Sequence, residues 1–104
     1  MSHTLAIETK RTQHAHITRK IGICGGEPIL DGTRTPVRSI VLYYKMGLSV
    51  DEILYNLPYL TPAQVHDALA YYYDNTEEID KYIKMNSENE VKKKYPQEKL
   101  IWKK

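Results

Sequence analysis

Helix breakers divide residues 36–83 into short segments, and this division limits that part of the chain to a set of short helices. Pro36 suits the first turn of a helix, Gly47 suits a helix C-terminus, and Pro58 stops the segment that follows. Within each segment, apolar residues recur three and four positions apart, which is the period of an amphipathic helix. The predicted buried positions are Val37, Ile40, Val41 and Tyr44 in the first helix, Val50, Ile53, Leu54 and Leu57 in the second, and Val65, Ala68, Leu69 and Tyr72 in the third.

Capping signatures support the starts of the second and third helices. Ser49 is followed by Glu52, and Thr61 by Gln64, at the spacing of a capping box. The two helices have the lengths of a helix-turn-helix and are joined by residues 58–60. With the first helix, they predict a mainly α chain built on a trihelical, helix-turn-helix bundle.

A short fourth helix is predicted at residues 76–83, followed by a basic tail at residues 84–104. The tail carries seven basic and three acidic residues and loses the helical period from Asn86 onward. Pro96 excludes one continuous helix through it. Its apolar side chains nevertheless predict a segment that packs on a partner. They are Tyr95, Leu100, Ile101 and Trp102.

The N-terminal part predicts an arm and a hairpin. Residues 1–15 show no sustained periodicity and are predicted to be a mobile arm. Residues 16–21 alternate polar and apolar side chains, which is typical of a short strand, and residues 28–30 supply a second strand. Glycines between them permit the tight return of a β-hairpin. The predicted domain therefore spans residues 16–83.

Residues 25–37, with the sequence GGEPILDGTRTPV, connect the predicted hairpin to the first helix. With three later blocks, this segment resembles the bacterial domain of unknown function 433, a trihelical homeodomain-like module. The family's glycine-threonine-arginine motif falls on Gly32, Thr33 and Arg34, whereas Thr35 stands where the family usually has an aliphatic residue. The later blocks are GLSVDEIL at 47–54, LPYLT at 57–61 and VHDALAYY at 65–72.

The resemblance implies a regulatory role, because the family is associated with antitoxins of the VapB kind that are encoded beside PIN-like ribonuclease toxins. We therefore expect an antitoxin-like protein that binds and neutralises a cognate PIN-like nuclease and autoregulates by binding operator DNA. Two alternatives are a stand-alone helix-turn-helix DNA-binding regulator and a structural dimerisation module without a nucleic-acid role.

The distribution of charge bears on these alternatives. Residues 1–38 carry six basic and three acidic groups, whereas residues 39–83 carry two and seven. The third helix occupies the recognition-helix position but offers no Lys or Arg, although phosphate neutralisation dominates DNA affinity. The predicted DNA-binding residues are Lys10, Arg11, Arg19, Lys20, Arg34, Arg38 and Gln64. For Arg34 we favour bracing of the turn, through Asp31 or backbone carbonyls.

Nine tyrosines and no phenylalanine predict rings at the edge of the core or in an interface, because a buried hydroxyl needs a partner. Tyr71, Tyr72 and Tyr73 diverge by about 100° from one to the next around a helix, so they cannot all face the core. Tyr72 fits the buried stripe. Tyr71 and Tyr73 either form a partner-binding surface or pack against the hairpin or the fourth helix. A chain of this size also gains from association, and a homodimer is expected.

Signatures of catalysis, metal binding and cofactor binding are missing from the sequence. His14 and His16 point to one side of a strand but have no further ligand nearby, and the single cysteine, Cys24, has no matching partner. Neither a signal peptide nor an apolar run near about 20 residues is present. We therefore expect a cytoplasmic, non-enzymatic protein with no cofactor, no metal and no membrane contact.

Overall fold

The computed structural model describes residues 9–94, with side-chain exposure given for residues 9–87. This part of the chain forms a small antiparallel sheet followed by a set of helices. The strands are β1 (Thr9–Arg11), β2 (Ile17–Lys20) and β3 (Pro28–Leu30). The helices are α1 (Val37–Lys45), α2 (Val50–Asn56), α3 (Pro62–Asp74) and α4 (Thr76–Lys94). The predicted mainly α class, with a β-hairpin before the helices, is confirmed.

The sheet has one strand more than the predicted hairpin. β2 lies in the centre, with Lys10 of β1 opposite Arg19 and Ile29 of β3 opposite Thr18. β1 falls within the segment predicted as a mobile arm, so residues 9–11 differ from that prediction. All three of its residues are exposed and none is apolar. Its pairing is therefore decided by the free edge of β2, which offers unpaired backbone groups, rather than by its own residue pattern.

α4 continues to Lys94, well past the predicted end at residue 83. Beyond Ile83 the helical apolar period weakens, which led to the shorter prediction. Loss of the apolar period indicates that the helix no longer buries one face, and it does not indicate that the helix ends. The segment contains neither glycine nor proline before Pro96 and is rich in good helix formers, so the helix persists into the predicted tail.

The core lies between the inner face of the sheet and the helices. Ile17 and Leu30 contribute to it from β2 and β3. The fully buried helix residues are Val37, Ile40, Val41, Ile53, Val65, Ala68 and Ile79. Most predicted buried positions are correct, but Tyr44 is 40% exposed. It lies in the last turn of α1, where its ring extends beyond the core and its hydroxyl accepts a hydrogen bond from Tyr73.

Side-chain caps set the starts of α2 and α3 as predicted. Ser49 Oγ accepts from the Glu52 amide at 3.1 Å, and Glu52 Oε1 accepts from the Ser49 amide at 2.8 Å. Thr61 and Gln64 form the same reciprocal pair. Pro36 takes the N-cap position of α1, one residue earlier than predicted. None of the helices within residues 9–94 combines the length and apolarity needed to cross a bilayer.

Candidate functional site

The turn that carries the glycine-threonine-arginine motif is closed by Thr33. Its hydroxyl donates to the Leu30 carbonyl at 2.8 Å and accepts from the Thr35 amide at 3.0 Å, while Gly32 adopts a positive φ of 84°. Thr35 is buried, and its hydroxyl pairs with that of Tyr59. This pairing satisfies the Thr35 hydroxyl at a position where an aliphatic residue was expected. Arg34 is exposed, and its side chain makes no hydrogen bond or ion pair with the described residues. Bracing of the turn is therefore done by Thr33 and not, as expected, by Arg34.

Three of the arginines predicted to bind DNA are paired within the fold. Arg11 lies 3.4 Å from Asp31, Arg19 pairs with Glu78, and Arg38 pairs with Glu27. Gln64 is also engaged, since its side-chain oxygen accepts from the Thr61 amide at 2.8 Å. Of the seven predicted residues, this leaves Lys10, Lys20 and Arg34 without an ion pair to another described residue.

The Arg38–Glu27 pair is well shielded from water. Glu27 is 7% exposed, and Arg38 Nε donates to its two carboxylate oxygens at 3.0 and 3.1 Å. Asn86 of α4 reaches the same carboxylate at 3.5 Å. The pair therefore joins the segment before β3 to α1. Arg38 is committed to this structural contact.

A second ionic cluster lines a cleft of about 540 Å³ between the β1–β2 turn and α3. We call it the ionic cleft. Its lining residues are Thr12, Gln13, His14, Arg19, Tyr71, Asp74 and Asn75. A smaller cleft of about 400 Å³ continues from Asp74 onto the start of α4 and is lined by Asp74, Asn75, Thr76, Glu77 and Glu78.

His14 bridges two carboxylates of α3 at this cleft. Its Nδ1 lies 2.9 Å from Asp67 Oδ1, and its Nε2 lies 2.9 Å from Asp74 Oδ2. The other oxygen of Asp67 accepts from the His16 amide at 2.8 Å. Burial opposes the charged form of His14, but the hydrogen bonds and charges of the two aspartates outweigh it, so the pKa of His14 is raised above its ordinary value of 6.5.

Tyr71 is held between Arg19 and Glu78 deeper in the same cleft. Its hydroxyl donates to Glu78 at 3.0 Å and accepts from Arg19 at 2.8 Å, and the residue is 4% exposed. Of the two alternatives for Tyr71, packing against the hairpin and the fourth helix is correct, and a surface role is wrong. Burial, reinforced by the charge of Glu78, raises the pKa of Tyr71 to about 12, although Arg19 opposes the shift.

We expect Tyr71 to ionise well above the ordinary tyrosine pKa of about 10 in a near-ultraviolet titration. Because the neutral ring is favoured in the folded state, its contribution to stability is complete below about pH 10 and is lost as the pH rises towards 12. Tyr71→Phe should remove the late phase of the titration and lower the free energy of unfolding at neutral pH by about 1–2 kcal/mol. Tyr55→Phe is the control, because Tyr55 is 88% exposed. Retention of the late phase in Tyr71→Phe, with its loss in Tyr55→Phe, would contradict the assignment.

Tyr73, unlike Tyr71, lies at the surface, in a cluster at the C-terminal ends of α1 and α3. It is 60% exposed, its hydroxyl donates to that of Tyr44 at 2.9 Å, and the two rings meet edge to face. Nearby, the ammonium group of Lys45 lies 5.3 Å from the centre of the Tyr72 ring. Tyr73 therefore remains on a surface that a partner can reach.

The segment from Met46 to Asp80 carries the most uneven charge of the described chain. It contains seven acidic residues and neither lysine nor arginine. The acids are Asp51, Glu52, Asp67, Asp74, Glu77, Glu78 and Asp80. Asp51 and Glu77 are exposed and make no ion pair with another described residue. We call this segment, which includes α2, α3 and the start of α4, the acidic segment.

Among residues 9–87, whose side chains the structure describes, no group of three or more His, Cys, Asp or Glu side chains is arranged to hold a metal ion. Cys24 is half-buried, its thiol donates to the Arg34 carbonyl at 3.2 Å, and burial raises the pKa of that thiol. The apolar tail residues Tyr95, Leu100, Ile101 and Trp102 lie outside the described residues.

Sequence reasoning missed the grouping of His14 with Asp67 and Asp74. More than fifty positions separate the histidine from the first aspartate, so no local pattern connects them. A partial signal exists, because Asp67 and Asp74 are seven residues apart and therefore lie on one face of a helix two turns apart. Two carboxylates on one helix face indicate a site for a cation, but not which cation occupies it.

Comparison with known proteins confirms the resemblance. Residues 17–72, just over half of the chain, match the family described as "Protein of unknown function (DUF433)". The crystal structure of a DUF433 member protein from Anabaena variabilis is similar, with 38% sequence identity and a TM-score of 0.63 over 68% of this chain and 69% of that chain. No curated protein matches the chain. The chain therefore belongs to the DUF433 family.

Proposed function

We propose that this chain is an antitoxin-like, non-catalytic binding protein that neutralises a cognate PIN-like ribonuclease. The observation that carries the proposal is the acidic segment, which runs through α2 and α3 without one lysine or arginine. A ribonuclease must present positive charge to RNA phosphates. An acidic helical surface is complementary to such an enzyme and competes with its substrate.

Several carboxylates of the acidic segment are exposed to a partner. Asp51 opens α2 and Glu77 opens α4, and both are exposed. Asp74 has a side chain that is 68% exposed even though it pairs with His14. Tyr73 supplies exposed aromatic area close to the C-terminal end of α3. Interfaces are enriched in tyrosine, so this part of the surface suits the apolar centre of the contact.

Operator binding is a second candidate function, favoured by Arg34, which is exposed and makes no ion pair with another described residue. Lys10 and Lys20 of the sheet have no ion pair to another described residue either. Three such residues predict weak DNA binding, with a salt dependence corresponding to about three phosphates per chain. The hypothesis that α3 is a DNA-recognition helix has less support, because α3 carries no lysine or arginine and Gln64 is held in the helix cap.

The proposed functional unit is a homodimer.

The proposal is tested by calorimetry between the full-length chain and the PIN-like nuclease encoded beside its gene. Asp51→Lys with Glu77→Lys should weaken binding by about tenfold or more and slow association, because like charges then face the enzyme. The matched control is Lys10→Glu with Lys20→Glu, which should leave nuclease affinity unchanged. Circular dichroism checks that each variant keeps its helices, since both reversed acids lie in first turns.

A truncation after Lys94 tests the predicted tail contacts separately. It removes Tyr95, Leu100, Ile101 and Trp102 and leaves the whole of α4 in place. A tail that occupies the nuclease predicts loss of binding and of neutralisation. Unchanged nuclease binding in both the acid-reversal variant and the truncation would overturn the proposal. Tight, salt-sensitive DNA binding without nuclease binding would favour the stand-alone regulator instead.

A further inference from the structure

The β1–β2 turn is fastened to α3 mainly through His14. Apart from the ring contacts with Asp67 and Asp74, the turn reaches α3 through the His16 amide, which donates to Asp67 at 2.8 Å. Within the turn, Thr12 Oγ1 donates to the Ile17 carbonyl at 2.7 Å and accepts from the His14 amide at 3.0 Å. The exposed strand β1 is joined to the rest of the described fold by its pairing with β2, by the Arg11–Asp31 ion pair and by the turn that follows it.

The geometry around His14 specifies its proton count. A carboxylate only accepts hydrogen bonds, and a neutral imidazole has a single N–H. Two carboxylates 2.9 Å from the two ring nitrogens are therefore satisfied together only by the imidazolium, in which both nitrogens donate. Loss of one proton necessarily leaves one of the two contacts without a donor.

The charges that face His14 favour the imidazolium. α3 presents Asp67 and Asp74, and the centre of the Tyr71 ring lies 5.3 Å from the centre of the imidazole, with the two rings edge to face. Arg19 of β2 lines the same cleft, but Glu78 of α4 pairs with it and balances its charge. The balance around the ring is therefore negative, and the pKa of His14 is raised in the fold.

The two aspartates are not equivalent, and this decides which contact breaks. Asp67 is mostly buried and also accepts from the His16 amide, so it needs the His14 donor to avoid an unsatisfied oxygen. The Asp74 side chain is 68% exposed, and water can replace His14 there. In a neutral His14 the remaining ring proton therefore stays on Nδ1, which continues to donate to Asp67.

We infer that His14 is a proton-dependent latch: the imidazolium clamps the β1–β2 turn across Asp67 and Asp74, and its deprotonation releases Asp74 and lets the turn and β1 open. Because the folded state raises the pKa of His14, the stabilisation is complete below about pH 6.5 and is lost as the pH rises through the raised pKa. The N-terminal strand is thus held more firmly in mildly acidic than in alkaline conditions.

Amide hydrogen exchange in the full-length chain, measured by NMR from about pH 6 to about pH 9, tests the latch. The reporters are the His16 amide, bonded to Asp67, and the Ile17 amide, bonded to the His14 carbonyl. Their exchange, corrected for the intrinsic pH dependence and divided by that of Leu69 in α3, should rise by about tenfold. The midpoint should coincide with the imidazole titration of His14 in the same sample.

Two variants and a control make the result decisive. His14→Gln keeps an amide in place of the ring but does not titrate, so its exchange ratio should be independent of pH. Asp74→Asn should lower the pKa of His14 and move the exchange midpoint with it. His66→Gln, on the exposed side of α3, should behave as the wild type. A flat ratio in the wild type, a pH response that survives in His14→Gln, or a midpoint that ignores the His14 titration would each overturn the latch.

Discussion

Arg38→Ala is expected to lower the free energy of unfolding by about 3 kcal/mol, because it leaves the carboxylate of Glu27 buried without a partner. Glu27 is 7% exposed, and Arg38 Nε reaches both of its carboxylate oxygens. The Asn86 side chain, 3.5 Å from the Glu27 carboxylate, is too distant to replace the lost charge. Urea unfolding followed by circular dichroism measures the change, with a lower midpoint and a similar slope.

A double variant separates a buried unpaired charge from a general packing defect. Glu27→Gln with Arg38→Met removes both charges and keeps similar side-chain volumes, so it should recover most of the lost stability. Arg38 was also a candidate DNA contact, and that role predicts the opposite pattern: weaker DNA binding with little change in the unfolding midpoint. Arg38→Ala with wild-type stability would show that the Glu27 pair contributes little to the fold.

Ile53→Ala is expected to lower the free energy of unfolding by a similar amount, about 3 kcal/mol. α2 has seven residues, and Ile53 is its one fully buried side chain; Leu54 is only partly buried. A helix this short is unstable alone, so its structure depends on that contact. Loosening α2 also displaces Asp51, and we therefore expect weaker nuclease binding in the same variant.

Tyr55→Ala is the matched control in the same helix. Tyr55 is exposed, so its removal should change the free energy of unfolding by less than about 0.5 kcal/mol. Both substitutions introduce alanine in α2, which makes the difference between them a measure of burial and not of helix propensity. Equal unfolding midpoints for the two variants would contradict the assigned packing of α2.

Local signals were sufficient for α1 to α3 and for the family, but not for the C-terminal end of α4. The capping boxes at Ser49 and Thr61 act within one helical turn, so they can be read from neighbouring residues alone. The apolar stripes of α1 to α3 follow from the helical period, and the motif at Gly32–Thr33 follows from turn chemistry that the structure repeats. The exceptions are positions at element ends, such as Tyr44, where the period continues but the core does not.

The use of the charged residues could not be predicted in the same way. Arg19, Arg34 and Arg38 have the same chemistry in the sequence, yet two are paired inside the fold and one is exposed. The difference depends on which carboxylate the folded chain brings near each of them. The same holds for Tyr71, for which the helical angle left a surface role and packing against the hairpin or the fourth helix open, and which is buried because β2 and α4 cover that side of α3.

By itself, the sequence determined α1 to α3, the start of α4, the β2–β3 hairpin, their order, the caps and the DUF433 membership, because each depends on residues close together in the chain. The tertiary structure decided the pairing of β1, the burial of Tyr71 and the bridge from His14 to Asp67 and Asp74. These features join residues up to sixty positions apart. Ion pairs and edge-strand pairing depend on distance in space, which chain spacing does not specify.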